Sequence, residues 1–133
     1  MPSPPRLSPI ALVRVVVAVL LGIHGVHRVF SGGVGPFGEF LSSRGFPLGL
    51  AIAWGVTIFE IVGAALLAIR QSVGPVAIAF IVELMAGMVL IHSPEGWFVV
   101  GGGRNGAEFS VLLIACLSAI LLAERQRRGG YRR

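Results

Sequence analysis

Residues 10–30 read IALVRVVVAVLLGIHGVHRVF, an apolar stretch interrupted by four basic side chains. A helix needs about 20 apolar residues to cross the ~30 Å hydrocarbon core of a bilayer, and this stretch is long enough. A cleaved secretory signal has an uninterrupted apolar region followed by small residues. Here Arg14 interrupts the apolar region, and two histidines and Arg28 stand where cleavage would fall. The stretch therefore predicts a retained transmembrane helix.

Three further apolar segments follow at 48–69, 73–91 and 106–123. Backbone N–H and C=O groups inside a bilayer must be hydrogen-bonded internally, so all four segments are predicted to be helices. The connections are short and leave no room for a soluble domain. The sequence thus predicts an all-α membrane protein, a four-transmembrane-helix bundle. It forms a single domain over 1–133, which ends in a basic cytoplasmic tail at 124–133.

The first loop has an amphipathic pattern of its own. Phe37, Phe40 and Leu41 follow Pro36 with the i, i+3, i+4 spacing of one helix face. This spacing predicts a short helix that lies in the membrane interface, with residues 42–45 facing water.

The composition agrees with a membrane protein. Hydrophobic residues make up 55% of the 133 residues, charged residues make up 13%, and the mean hydropathy is +0.87. A soluble domain has about 25% charged residues, so an ordinary soluble domain, a disordered chain and a nucleic-acid binder are excluded. The single cysteine, Cys116, lies in an apolar run and is predicted to be a buried hydrophobic residue.

The arginines predict the orientation. With four spans, both termini lie on one side of the membrane. Three arginines lie on the opposite side: Arg28, Arg44 and Arg104. Seven share the side of the termini: Arg6, Arg70, Arg125, Arg127, Arg128, Arg132 and Arg133. The excess predicts that both termini are cytoplasmic.

Gly101, Gly103 and Gly106 match the G-x-G-x-x-G pattern of dinucleotide-binding loops. That pattern also requires a βαβ unit and an acidic residue about 20 positions further on. The following helix is of membrane length, and Gly102 and Asn105 suit a turn. We therefore interpret this segment as a turn.

Ionisable side chains occur within the predicted spans, where each costs at least ~2.5–3.5 kcal/mol and marks a candidate functional site. Alternating helix directions divide them by depth. The outer set is His24, His27, Arg28, His92 and Glu108, and the deeper residues are Arg14, Glu60 and Glu83.

The first helix presents several of these residues on one side. His24, His27 and Arg28 lie three and four positions apart and share a face, and Arg14 lies roughly on the same face. Glu60 lies near mid-membrane, where its short side chain cannot reach water. It therefore needs a cation, and Arg14 and Arg28 are the candidates.

We predict that six side chains line one internal pocket that opens to the non-cytoplasmic side: Arg14, His24, Arg28, Glu60, His92 and Glu108. His27 and Glu83 are weaker members, since Glu83 lies about 180° from His92 around the third helix. Structural roles stay open as alternatives. Basic side chains can extend to lipid head groups, terminal residues can interact with helix dipoles, and the carboxylates can form structural salt bridges.

Histidines also bind haem and transition metals. His24 and His92 are the pair at matching depth, which is a weak haem signal, and no metal site is predicted.

At these residues the chain resembles the DoxX family of small bacterial four-helix membrane proteins, from about Leu12 to Ala123. The G-x-H-G-x-x-R-x-F stretch lies at 22–30, after Arg14. F-x-x-F-L-x-x-x-G-F-P follows at 37–47, and W-x-x-x-x-x-E-x-x-G follows at 54–63. The later matching residues are Met85, Met88, His92, Gly96, Trp97, Phe98 and Glu108.

The chain departs from the family pattern at three places. Arg28 stands where the family more often has Lys, Glu83 is additional, and an Arg-rich tail replaces the G-x-G-x-x-S-x-D ending of many members. The resemblance implies an inner-membrane protein associated with quinone-linked oxidation, as in thiosulfate:quinone oxidoreductase and terminal oxidase subunits. It also implies a link to oxidative-stress complexes.

The combined interpretation is a membrane subunit of a quinone-linked redox or oxidative-stress complex. Arg14, Arg28 and Glu60 would anchor a polar head group, with His24 and His92 as proton partners. Whether the chain is itself an enzyme stays open, and its catalytic residues are unknown. Quinone is the expected cofactor, and the expected partners are the bilayer, redox proteins and a second copy of the chain. The alternatives are a non-catalytic scaffold or assembly factor and a small-solute or proton-coupled transporter.

Overall fold

The computed structural model describes residues 8–130, and these are helical apart from short connections. Arg6, Arg132 and Arg133, which enter the prediction of orientation, lie outside the described residues. The five α-helices in chain order are α1 (Pro9–Phe30), α2 (Val34–Ser43), α3 (Gly49–Ala68), α4 (Val73–Gly87) and α5 (Glu108–Gly130). The chain forms two compact units, a first unit at 18–71 and a second unit that combines the segment up to Val17 with the chain from Ser72 onward.

Among the described residues, three helices are long and apolar enough to cross a membrane: Pro9–Phe30, Gly49–Ala68 and Val73–Glu95. The fourth predicted span corresponds to α5, which is not one of these three. It begins at Glu108 and continues beyond Ala123 through four more charged residues, and these lower its mean hydropathy. Four spans therefore remain a prediction.

In the first unit, the loop helix expected after Pro36 is present as α2. It begins earlier than predicted, at Val34, because proline is tolerated in the first turn of a helix. Its apolar side does not lie open. Val34 and Leu41 are buried in a cluster with Ala53 of α3, and Phe37 and Phe40 pack against this cluster. The predicted short helix is thus confirmed and residues 42–45 are exposed as predicted, whereas its location in the membrane interface stays a prediction.

Two glycines allow α2 to approach α3 this closely. A Cβ atom on Gly38 would lie 2.7 Å from the Leu50 Cα atom, and one on Gly49 would overlap the Gly38 carbonyl and Ser42. Any larger residue at either position would separate the helices.

Glycines also set the contact between α1 and α3 within the first unit. A Cβ atom on Gly22 would lie 3.1 Å from the Ala64 Cβ. One on Gly25 would lie 2.9 Å from the Thr57 carbonyl oxygen and 3.0 Å from the Glu60 Cβ. As residue numbers increase along α1, the residues that they meet on α3 decrease in number, so the two helices are antiparallel at this contact.

In the second unit, α4 packs against α5, and Phe80 and Leu117 are completely buried there. The third span was expected as a helix to Ile91, but the α-helix ends at Gly87. It continues as a π-helical turn, Met88–His92, and a 3₁₀ turn, Ser93–Glu95. Pro94 has no N–H to donate to the Leu90 carbonyl, so α-helical hydrogen bonding cannot pass through this point.

The loop before α5 closes on its own backbone. The Gly106 N–H donates to the Phe98 carbonyl at 3.1 Å, and the Glu108 N–H donates to the Trp97 carbonyl at 3.0 Å. Gly101 has a φ of 76°, and no Cβ fits at Gly106 beside Trp97 and Phe98. The glycines of the G-x-G-x-x-G pattern thus form the turn that we interpreted them to be.

Candidate functional site

A buried ion pair joins α1 to α3 in the first unit. Arg28 Nη1 donates to Glu60 Oε2, and Arg28 Nη2 donates to Glu60 Oε1 at 3.2 Å. The side chains are 20% and 7% exposed, respectively. Parallel hydrogen bonds of this kind combine charge attraction with a fixed orientation of the two planar groups. Of the two cations predicted as partners of Glu60, the structure therefore shows Arg28 bound to it.

The local sequence explains this placement. Gly25 lies one turn before Arg28 on α1, and its missing side chain allows the Thr57 carbonyl and the Glu60 Cβ to come close. Glu60 lies in the interior of α3, eight residues before the helix ends at Ala68. Its carboxylate thus meets the Arg28 guanidinium well inside the helix, where the Glu60 side chain is 7% exposed.

Two further residues complete the site, and the sequence analysis missed both. Thr57 is fully buried; its Oγ1 donates to the Ala53 carbonyl at 2.7 Å and accepts from Arg28 Nη1 at 3.1 Å. The Phe37 ring of α2 lies 4.7 Å from the guanidinium carbon, which gives a cation–π contact. The i−3 spacing of Thr57 from Glu60 could have identified the threonine, whereas nothing in the sequence connects Phe37 to Arg28.

The energetics make this pair notable. Removing two charges from water costs several kcal/mol per ion, and apolar replacements for a buried pair are often equally stable. A pair kept inside apolar helices is therefore a candidate functional site rather than a device needed for stability.

The two histidines of α1 are exposed. His24 Nδ1 lies 2.9 Å from the Leu20 carbonyl oxygen. A carbonyl can only accept, so Nδ1 donates, and in the neutral ring Nε2 is the proton acceptor. Arg14 of α1 and Glu83 of α4 are both half-buried.

The other two predicted pocket residues hold the loop of the second unit. His92 Nδ1 donates to the Asn105 carbonyl at 2.8 Å, and Glu108 Oε1 accepts from the Val99 N–H at 2.8 Å. Asn105 has a φ of 59°, a left-handed conformation that asparagine tolerates. His92 and Glu108 therefore both hold the backbone of the loop that precedes α5, one at Asn105 and the other at Val99.

Four of the six predicted pocket residues are thus described in two groups, Arg28 with Glu60 and His92 with Glu108. The pocket shared by all six stays a prediction. Within residues 8–130, no three His, Cys, Asp or Glu side chains are grouped so that they could hold a metal ion. Cys116 is partly rather than fully buried, which corrects the expectation of a buried hydrophobic residue.

The fold and this site define a helical membrane protein with a charge pair inside its spans. A family model, DoxX, matches residues 10–93, which is more than half of the chain. The chain belongs to the DoxX family, and the matched region contains Arg14, His24, Arg28, Glu60 and His92. No curated protein and no solved structure matches the chain.

Proposed function

We propose that the protein is an integral membrane subunit of a quinone-linked redox complex, with the Arg28–Glu60 pair as the quinone head-group site. The observation that supports this proposal most strongly is the ion pair itself, which joins two apolar helices that are both long enough to span a membrane. Membership in the DoxX family agrees with this assignment.

The guanidinium has the chemistry to bind a quinone carbonyl. It has five N–H donors, and the bonds to Thr57 and Glu60 use three of them. One fifth of the Arg28 side chain is exposed. The remaining donors suit a ligand carbonyl oxygen, and the Phe37 ring offers an aromatic surface beside it.

The reaction requires proton and electron transfer. Reduction of a quinone to a quinol consumes two electrons and two protons. Glu60 next to the head group is suited to transfer protons, and a partner redox protein supplies the electrons. In this proposal His24, four positions before Arg28 on α1, belongs to the same site, and the site opens to the non-cytoplasmic side.

The proposal includes a topology. α5 is the fourth span, and both termini lie in the cytoplasm of a cell with an inner membrane. A reporter fused after Arg133 is expected to be active only in the cytoplasm, and one inserted at 101–104 only outside it. A non-cytoplasmic reading at the C-terminus would contradict this topology.

The site is tested by the quinone content of the purified full-length protein, measured by extraction and difference spectroscopy. We expect Arg28→Lys and Glu60→Gln to lower the retained quinone at least about tenfold, because each removes a bidentate contact. Glu95→Gln, at an exposed position of the 3₁₀ turn, is the control and should retain the wild-type amount.

A charge exchange separates ligand binding from folding. Arg28→Glu combined with Glu60→Arg restores an ion pair but reverses the donor and acceptor sides of the site. We expect this double variant to accumulate better than either single variant and still to lack quinone. Wild-type protein that holds no quinone and binds a partner would instead support a scaffold, and pH-driven solute uptake in vesicles would support a transporter.

A further inference from the structure

A groove of about 540 Å³ lies in the second unit, between the first turns of α4 and the last turns of α5. Apolar side chains from both helices line it, including Pro75, Ile78 and Leu121. Ile78 is 45% exposed, so this surface is open rather than enclosed. Neither Arg28 nor Glu60 lines this groove, so a ligand of the groove would differ from the quinone proposed for the Arg28–Glu60 pair.

The groove changes from apolar to basic along α5. Leu121, Arg125 and Arg128 all line it, and their i, i+4, i+7 spacing places them on one face of the helix. Gly74, in the first turn of α4, lies beside Leu121. The basic end therefore lies where α4 begins and α5 leaves the predicted bilayer.

One acidic residue lines the groove, and its charge is offset. Glu124 Oε1 accepts from Arg127 Nη2 at 3.0 Å and from Arg128 Nε at 3.1 Å. Arg125, Arg127 and Arg128 against Glu124 leave a formal charge of +2 at this end. The bond to Arg128 uses Nε, and the guanidinium has further N–H donors for an anion.

We propose that this groove binds one anionic phospholipid, with its phosphate group on Arg125 and Arg128 and an acyl chain along the apolar part. Basic pockets between transmembrane helices on the cytoplasmic side suit anionic head groups, because that leaflet is negatively charged. The order of apolar and basic residues along the groove matches the order of chain and head group in a lipid. The inference depends on insertion of α4 and α5 in a membrane and does not depend on quinone binding.

Native mass spectrometry of the full-length protein in a neutral detergent tests the head-group contact. We expect dioleoyl phosphatidylglycerol to bind about tenfold more tightly than dioleoyl phosphatidylcholine. The double variant Arg125→Gln/Arg128→Gln should lose this preference. The matched double variant Arg44→Gln/Arg104→Gln removes the same charge at exposed loop positions and should keep it. An unchanged preference in the first variant, or equal loss in both, would overturn the proposal.

A second variant tests the groove itself. A Cβ atom on Gly74 meets only Leu121, at 3.9 Å, so Gly74→Phe can place a ring in the groove. It should weaken the binding of both lipids, whereas Gly87→Phe, where an added Cβ meets nothing within 4 Å, should not. Helical content measured by circular dichroism shows whether both variants are folded, and wild-type lipid binding by folded Gly74→Phe would overturn the proposal.

Two further measurements define the ligand. Glycerol phosphate at millimolar concentration should leave phosphatidylglycerol bound. Complete displacement of the lipid would assign the site to a free phosphate and overturn the proposal of a lipid ligand. Quinone content should be the same in the Arg125→Gln/Arg128→Gln variant as in the wild type. Loss of lipid preference with unchanged quinone content therefore separates this inference from the proposed function.

Discussion

Glu60 in the first unit and Glu124 in the second are both buried carboxylates that bind arginine, and their side chains are 7% and 8% exposed. They differ in where the arginine comes from. Arg28 lies 32 positions before Glu60 on another helix, whereas Arg127 and Arg128 follow Glu124 by three and four positions on the same helix. The first pair exists only when two helices pack, and the second forms in any helix that contains these residues.

The surroundings of the arginines differ as well. Arg28 is 20% exposed and bonded to Thr57, whereas Arg127 and Arg128 are 59% and 65% exposed. Water screens a pair with exposed arginines, and such pairs contribute little to stability. A pair shielded from water gives a large penalty when one partner is removed. The comparison therefore predicts that equal chemical changes in the two units have unequal effects.

The largest effect is expected when the pair in the first unit is broken. Arg28→Ala leaves the Glu60 carboxylate buried without its cation, and it should lower the free energy of unfolding by ~3–5 kcal/mol. Thermal unfolding in detergent, followed by circular dichroism, measures this change.

Arg128→Ala is the matched control for that experiment, because it removes an arginine from the other buried carboxylate. Its effect should stay below ~1 kcal/mol. If both variants lose the same stability, the distinction between the two ion pairs is wrong.

A smaller effect is expected from the helix contact that supports the pair. Gly25→Ala places a Cβ atom 2.9 Å from the Thr57 carbonyl oxygen and from the Ile61 side chain, so α1 and α3 must separate. Overpacking of this kind costs ~1–3 kcal/mol. Gly55→Ala, where the new Cβ meets nothing within 4 Å, should be neutral or stabilising by up to ~1 kcal/mol. Chemical unfolding of both variants measures the difference, and a neutral Gly25→Ala would show that the helices need not touch there.

The next prediction concerns Glu108 in the second unit, a carboxylate that binds a backbone N–H rather than an arginine. Glu108→Ala removes the acceptor of the Val99 N–H and should cost ~1 kcal/mol, since this bond is charge-assisted but partly exposed. Hydrogen exchange at the Val99 amide should become several-fold faster. Glu108→Gln keeps an acceptor oxygen and should show most of the wild-type protection; unchanged exchange in the alanine variant would show that the bond does not hold the loop.

The smallest effect is expected at Glu124. Glu124→Gln keeps the shape of the side chain and loses its charge, which should lower the free energy of unfolding by ~0.5 kcal/mol or less. The difference from wild type should shrink further at high salt, because the arginines are exposed. A loss as large as that of Glu60→Gln, measured under the same conditions, would remove the contrast between the two carboxylates.

Much of the secondary structure follows from the sequence. The spans predicted at 10–30 and 48–69 agree within one residue at each end with the helices Pro9–Phe30 and Gly49–Ala68. The end of the third span and the continuation of α5 to Gly130 were not predicted. The end of the third span depends on Pro94, which lies just beyond the apolar run. The continuation of α5 was missed because the charged residues that suggest a tail are also good helix formers.

The candidate site was predictable in kind but not in detail. A carboxylate in the middle of an apolar span requires a cation, so a partner for Glu60 among the arginines of the first helix could be expected. The choice of Arg28 depends on the rotation and height of α1 against α3, which the close approach at Gly25 sets. The contact of Phe37 with Arg28 depends on how α2 packs on α3, and no spacing in the sequence describes that packing.

The sequence by itself determined that this is a helical membrane protein, because the length and polarity of an apolar run are properties of consecutive residues. The match of residues 10–93 to the family model determined that it belongs to the DoxX family. The sequence also identified Glu60 as a carboxylate that requires a cation as its partner. Only the tertiary structure decided that Arg28 binds Glu60, that Thr57 binds Arg28, and that α2 covers α3 with its apolar side. These contacts join residues far apart in the chain, and they form because glycines let the helix backbones meet where side chains would hold them apart.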